Sequence, residues 1–285
     1  MTDSHLFCFG FGYTASFLAK ILLADGWRVS GTCRTSEKCE SLRPMGITGH
    51  IFDDGLPLTN IWDLDSVTHI LISIPPGKDG DIILQNHLDD LLALKNLKWV
   101  GYLSTTGVYG DHDGAWVDEA TPVKPYNDRT LWRVESEKKW LATGLPVHVF
   151  RLSGIYGPGR SAIESLQEGT ARRIDKAGQV FSRIHVEDIC QTLIASINKP
   201  DPFSIYNVAD DEPCPQADVI EYAANLIGVP VPPLVKFEEA DLSPMARSFY
   251  AANRRVSNRK IKEKLGMELR YPDYRLGIAS LLPKL

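Results

Sequence analysis

The sequence predicts an α/β protein built on a parallel, doubly wound sheet, and three observations carry that expectation. Short apolar runs alternate with amphipathic stretches through the first half of the chain. A glycine turn, Gly10-Phe11-Gly12-Tyr13-Thr14-Ala15, joins the first apolar run to the first amphipathic one. The run from His69 to Ile74 is apolar almost without interruption, as a strand covered on both faces must be.

Taken in order, His5 to Phe9 reads as a strand and Thr14 to Ala24 as a helix, with Ala15, Leu18, Ile21 and Leu22 at helical spacing. Gly26 sits where a helix-ending glycine belongs, and Trp27 to Cys33 is a second strand closed by Arg34. A strand, a G-x-G-x-x-A turn, a helix and a strand make the Rossmann-type dinucleotide-binding βαβ unit. Gly10 permits the tight turn, and Gly12 lets a pyrophosphate approach the backbone with no Cβ in the way. Ala15 keeps the helix close to the sheet, and the amides at the helix start face the phosphates.

Ile47 to Phe52 is a third strand, ended by Asp53-Asp54-Gly55, and His69 to Ile74 is a fourth, stopped by Pro75-Pro76. Asp81 to Leu94 predicts a helix with Ile83, Leu84, His87, Leu88, Leu91 and Leu92 on one face. Lys98 to Leu103 is a fifth strand, leading into Ser104 to Gly110. After a polar loop to Asn127, residues Asp128 to Thr143 form a helix, and Val147 to Leu152 a sixth strand. Ser153 to Gly159 reads as a glycine-rich exit loop. Further on, Glu187 to Ser196, Asp218 to Ile227 and the basic stretch Ser257 to Leu265 read as helices, and Ile205 to Val208 as a strand. The expected division is a dinucleotide-binding domain over residues 1–155, completed by about 184–208, with 156–183 and 209–285 forming a small α/β substrate lobe.

Composition narrows the function. Lys and Arg total 31 against 36 Asp and Glu, and the net charge of −5 argues against a broad nucleic-acid surface. No run approaches the roughly 20 apolar residues of a membrane span, and the start lacks the pattern of a signal peptide. The five cysteines form no C-x-x-C pair and the seven histidines show no ligand spacing, so no metal is expected. The expectation is a cytoplasmic protein, monomer or homodimer, acting on a small molecule and binding neither nucleic acid nor membrane.

Four further stretches carry a family resemblance: Tyr102 to Gly110, Val117-Asp118-Glu119-Ala120-Thr121-Pro122, Phe150 to Gly159, and Ile184 to Asp188. In order and spacing the chain resembles the extended short-chain dehydrogenase/reductases, the fold of the nucleotide-sugar epimerases and dehydratases, from Leu6 to about Val208. Two departures qualify the likeness. The turn is G-x-G-x-x-A rather than the family's G-x-x-G-x-x-G, which looks like the atypical branch. The family's Tyr-x-x-x-Lys is replaced: counting back from Glu137 puts Arg133 where lysine is expected and Arg129 where tyrosine is expected, while Thr105 matches the catalytic Ser/Thr.

Arginine cannot replace the tyrosine, because its pKa stays above ~12 and it has no proton to trade. Three readings stay open. One is an NADP-dependent oxidoreductase or epimerase with a relocated acid/base: Tyr126 leads, with Tyr109, Tyr156 and His185 behind it, although Tyr126 also reads as an ordinary loop residue after Pro125. A second is a non-catalytic NADP-binding sensor or scaffold. In the third, Arg129 and Arg133, one helical turn apart, cradle an anionic substrate. Arg160, Ser161, Arg172, Arg173 and Arg183 could likewise meet a phosphate, or pair with Glu164, Glu168 and Asp175.

The nucleotide is read from the end of the second strand. A carboxylate there would bond the ribose of NAD. This chain has Arg34-Thr35-Ser36, with Lys38 behind, which would hold a 2′-phosphate by charge-assisted bonds. NADP is expected, with NAD the alternative. The resemblance further implies Phe52 and Asp53 near the adenine, Ser73, Ile74, Ser104 and Thr105 near the ribose and pyrophosphate, and Ser153, Gly154 and Ile155 by the nicotinamide.

Overall fold

A computed structural model of the chain describes residues 4–53, 58 and 66–282. In chain order the elements begin with β1 (His5–Phe9), α1 (Tyr13–Ala24), β2 (Arg28–Cys33), α2 (Ser36–Leu42), β3 (Thr48–Ile51), β4 (His69–Ile72), α3 (Ile82–Leu92) and β5 (Trp99–Thr105). They continue with β6 (Trp116–Val117), α4 (Asp128–Leu141), β7 (Val147–Leu152), β8 (Gly154–Tyr156), α5 (Ala162–Gln167), β9 (Arg173–Asp175), β10 (Arg183–His185) and α6 (Val186–Asn198). The last are β11 (Ile205–Val208), α7 (Gln216–Ile227), β12 (Leu234–Lys236), α8 (Pro244–Phe249), β13 (Arg255–Val256), α9 (Arg259–Leu265) and α10 (Tyr274–Ala279).

The chain divides into two units. The first comprises Met1–Thr105, Asn127–Arg151 and Leu193–Tyr206. Through it runs a seven-stranded parallel sheet in the order β11-β7-β5-β4-β1-β2-β3, the Rossmann-type arrangement the alternating pattern predicts. From β1 the chain steps outward through β2 and β3, then returns to place β4 on the other flank of β1. The direction of winding therefore reverses between β1 and β4, and a crevice opens at the carboxyl ends of those two strands.

Burial follows from that layering. All four β4 residues are buried, as the uninterrupted apolar run requires. Phe7, Phe9, Phe52, Ile70, Ile72, Tyr102 and Trp140 share one core cluster. Helix α3 buries Ile83, His87 and Leu91 at a four-residue interval, whereas Leu92, expected on that face, is 51% exposed because it lies on the next row of the helix. Asp81 caps α3, accepting from the Ile83 and Leu84 amides, and also accepts from Trp140 Nε1 at 2.8 Å, which ties α3 to α4. Asp54 and Gly55, expected to end the third strand, lie outside the described residues.

The second unit comprises Thr106–Tyr126, Leu152–Thr192 and Asn207–Leu285. It contains three two-stranded parallel pairings: β8 with β10, β9 with β12, and β6 with β13. The glycine-rich stretch after Leu152 is therefore not all loop: Gly154–Tyr156 pairs with Arg183–His185. Tyr156, Ile163, Cys214, Val219, Ala223, Tyr274 and Ile278 make its larger apolar cluster. Among the described residues, no helix is long and apolar enough to cross a membrane, and no group of three or more His, Cys, Asp or Glu is placed to hold a metal.

Candidate functional site

The glycine turn lies at the crevice of the first unit. Gly10 has φ of +88°, a conformation that side chains strain to adopt, and a Cβ built there would come within 2.8 Å of Ile74 Cγ1. Glycine is thus required twice over, for the turn and for the close approach of β1 to the chain leaving β4. The turn is tied to β2: Gly10 N donates to Thr32 Oγ1 and Phe11 N to Thr32 O, each at 2.8 Å. A Cβ at Gly12, by contrast, would meet nothing within 4 Å, so the backbone there borders open space.

Helix α1 starts at that opening. Gly12 is its N-cap, no side chain caps it, and its first turn holds no acidic residue. Its positive end is therefore not neutralised by its own side chains. Thr14 and Ala15 are buried beneath it, as is Phe11, and Tyr13 packs on Phe17 with the rings tilted and their centroids 5.0 Å apart.

Arg34, Thr35 and Ser36 are exposed directly after β2. Thr35 has a structural task, since its Oγ1 accepts from Lys38 N at 3.3 Å and caps α2. Asp53 is exposed, but Phe52 is 2% exposed and packs on Phe9 and His87, so its ring belongs to the core. Ser73 and Ile74 are half-buried, and Ser73 N donates to Phe9 O at 2.8 Å.

At the end of β5 the polar groups are committed inward. Ser104 is buried and donates to Glu137 Oε1. Arg151 Nη2 donates to Glu137 Oε2 at 2.7 Å, and both side chains are almost fully buried. Arg133 donates through Nη1 to Leu103 O at 2.8 Å and to the Tyr102 hydroxyl at 3.3 Å. Burial pushes the Tyr102 phenol up to about 12, against the opposing pull of Arg133. The expected pair of arginines is therefore unequal: Arg133 is held against β5, while Arg129 is exposed on α4. Thr105 is half-buried at the strand's last position.

In the second unit, Tyr126 is 41% exposed, and it and Tyr109 lie close enough to the buried Arg254 guanidinium to interact with it electrostatically. Arg254 is itself anchored by Nη1 to Gly110 O at 2.9 Å. Tyr109 donates to Asn207 Oδ1 at 2.7 Å and is fully buried. Tyr156 is also buried, which raises its phenol far above the usual range, and burial lowers His185 to about 4. Ser153 is buried, Gly154 exposed and Ile155 half-buried. The arginines expected to seek phosphate or nearby carboxylates do otherwise in three cases, Arg172 donating to the Gly169 and Ala171 carbonyls. Arg183 is buried and donates to the Phe181 and Cys214 carbonyls, and Arg173 pairs with Glu221. Thr32, Arg151 and Arg254 were given no role by the sequence alone. Their contacts are long-range, and only the isolated charge inside the apolar strand around Arg151 hints at one.

No family model matches the chain. Protein YeeZ of Escherichia coli (strain K12) is 27% identical over 279 residues, spanning 93% of this chain and 95% of that protein. The solved structure of dTDP-glucose 4,6-dehydratase from Bacillus anthracis str. Ames, in complex with NAD, superposes with a TM-score of 0.75 at 17% identity, covering 97% of this chain and 94% of the other. A functionally unknown conserved protein from Silicibacter pomeroyi DSS superposes with a TM-score of 0.90 at 52% identity, covering 98% of each chain. With that identity maintained over nearly the full length of both, the chain belongs to the same family as the conserved Silicibacter pomeroyi protein.

Proposed function

We propose that the first unit binds a nicotinamide dinucleotide at its strand-order reversal, NADP in preference to NAD, and that the protein is an epimerase/dehydratase-type oxidoreductase. Its substrate is small, either an anion or a sugar nucleotide, and the second unit serves as the substrate lobe. The carrying observation is the turn at Gly10, packed against Ile74 where the chain leaves the neighbouring strands β1 and β4, with open space beside Gly12. That arrangement fits a pyrophosphate, because the backbone can be approached closely and α1 presents an uncapped positive end. The NAD bound by the Bacillus anthracis dehydratase, on the same fold, supports the choice of ligand.

When bound, the nicotinamide supplies a hydride donor or acceptor. The backbone from Gly12 to Ala15 carries the pyrophosphate. Arg34, with the Thr35 and Ser36 hydroxyls, holds the 2′-phosphate, and Asp53 meets the adenine side, backed by Phe52 from the core. Ser73, Ile74 and Ser104 border the ribose and pyrophosphate, and Ser153, Gly154 and Ile155 the nicotinamide side. Thr105 orients substrate. Tyr126, with the fixed charge of Arg254 beside it, is the proton donor or acceptor. Arg133 is a positioning residue that fixes the end of β5, which leaves Arg129 as the cation for an anionic substrate.

Calorimetry with NADP and NAD tests the cofactor assignment: tighter NADP binding is expected, and equal or NAD-favouring affinity overturns the role of Arg34. Tyr126→Phe tests the chemistry and is expected to abolish turnover while leaving NADP affinity unchanged. A second reading, a non-catalytic NADP sensor, is favoured by one observation, the commitment of Arg133 to the Leu103 carbonyl and Tyr102 hydroxyl. If only arginines and apolar groups lie within ~3.5 Å of the nicotinamide C4 in an NADP-bound structure, the sensor reading prevails.

A further inference from the structure

The second unit holds a cavity of about 430 Å³, a volume within the range of small-molecule sites. Trp116, the first residue of β6, lines it and leaves 59% of its surface exposed. So much uncovered indole on a short strand is uncommon for the largest apolar side chain, and an exposed aromatic beside a cavity offers a flat stacking face. The rest of the wall is polar and includes Asp118, Thr121, Asp210, Asn258 and Arg259.

The charges on that wall are largely answered. Asp211 Oδ1, also on the wall, accepts from Lys262 Nζ at 2.5 Å and from Asn258 Nδ2 at 2.6 Å. Asp118 Oδ1 accepts from the Ala120 and Thr121 amides and from Thr121 Oγ1. Arg259 adds a positive charge, paired at 3.8 Å with Glu263 one helical turn on. Asp210 is 1% exposed, its Oδ2 has no hydrogen-bond partner among the described residues, and burial pushes its carboxyl up to about 8. Its Oδ1 accepts from the Glu212 amide at 3.3 Å, so at neutral pH the largely uncharged acid keeps one O–H, on Oδ2, to donate. A cavity with balanced charge, an aromatic face and unspent neutral hydrogen-bonding capacity suits a ligand that is itself neutral and carries many hydroxyls.

We propose that this cavity is a binding site for a neutral saccharide, whose ring C–H face packs on Trp116 and whose hydroxyls bond the polar wall around Asp118, Asp210 and Asn258. The site lies wholly within the second unit and does not depend on the dinucleotide reading, so its test is run without nucleotide.

Saturation-transfer-difference NMR on the full chain, with glucose, galactose, N-acetylglucosamine and tetramethylammonium as separate probes, decides it. Transfer to the ring protons of at least one sugar is expected, about tenfold weaker in binding for Trp116→Ala and retained in Trp116→Phe. Because Trp116 is exposed, Trp116→Ala is expected to melt with the parent protein, so a lost signal reports binding rather than unfolding. No transfer to any sugar, or transfer unchanged in Trp116→Ala, overturns the proposal. Transfer to tetramethylammonium alone also overturns it and makes the cavity a cation site.

Discussion

Gly10 and Arg34 show how differently single residues can matter in one site. At Gly10 the constraint is steric, because φ is +88° and Ile74 occupies the space where a Cβ would go. Gly10→Ala is therefore expected to destabilise the first unit by about 1–3 kcal/mol, the scale of a strained non-glycine backbone, read as a lowered urea midpoint. At Arg34 the constraint we propose is chemical. It is exposed and shapes no packing, so Arg34→Ala should leave the urea midpoint unchanged. Loss of a charge-assisted bond to the 2′-phosphate should weaken NADP about tenfold or more while sparing NAD, and calorimetry of the variant with both nucleotides checks this.

Between α4, β5 and β7 the unit of design is a buried network. Glu137 accepts from Ser104 and Arg151, and Arg133 donates to the Leu103 carbonyl and the Tyr102 hydroxyl of β5. Removing one partner of a buried ion pair leaves the other charge stranded in the core, and this costs more than the pair contributes. Arg151→Met is expected to destabilise by about 3–5 kcal/mol, and Arg151→Met with Glu137→Gln together by less than the sum of the two singles, as a double-mutant cycle in urea would measure. The network also explains what became of the arginine pair. Glu137 was legible as a landmark for counting back to Arg133, but whether Arg133 faced a ligand or the sheet depended on the β5 carbonyls, which sequence spacing does not reveal.

Across the whole molecule, buried histidines and a buried carboxyl pull stability in opposite directions with pH. His69 in the first unit and His185 in the second are both lowered to about 4 by burial. The unfolded chain binds protons at these sites as pH falls below ~6.5, so stability falls with acid over that window. In NMR titration their imidazole signals are expected to stay at neutral-form shifts down to about pH 5. A midpoint near 6.5 would show that they are solvated. Asp210 has the reverse sign: its folded pKa of about 8 lies above the unfolded value, so the folded state holds a proton that the unfolded chain releases. Stability is lost as pH rises toward 8, and from pH 6.5 upward the two histidines no longer offset it. Asp210→Asn is expected to flatten that decline in urea midpoints.

The local pattern alone determined the alternation of strands and helices, the glycine turn and the parallel sheet, because each is encoded in neighbouring residues. The apolar run of β4, the four-residue interval of α3 and the boundaries of β7 and β11 follow from backbone periodicity and need no distant partner. The short pairings β6–β13 and β9–β12 were not legible, since two- or three-residue strands carry no period and exist only through partners far along the chain. Tertiary structure alone decided how each polar group is used. It turned Phe52 into core, held Arg133 against β5, set Arg254 beside Tyr126, and buried Asp210 in a wall that Trp116 leaves open. The physical reason is that a side chain's charge, exposure and partners depend on what the fold brings to it from elsewhere in the sequence.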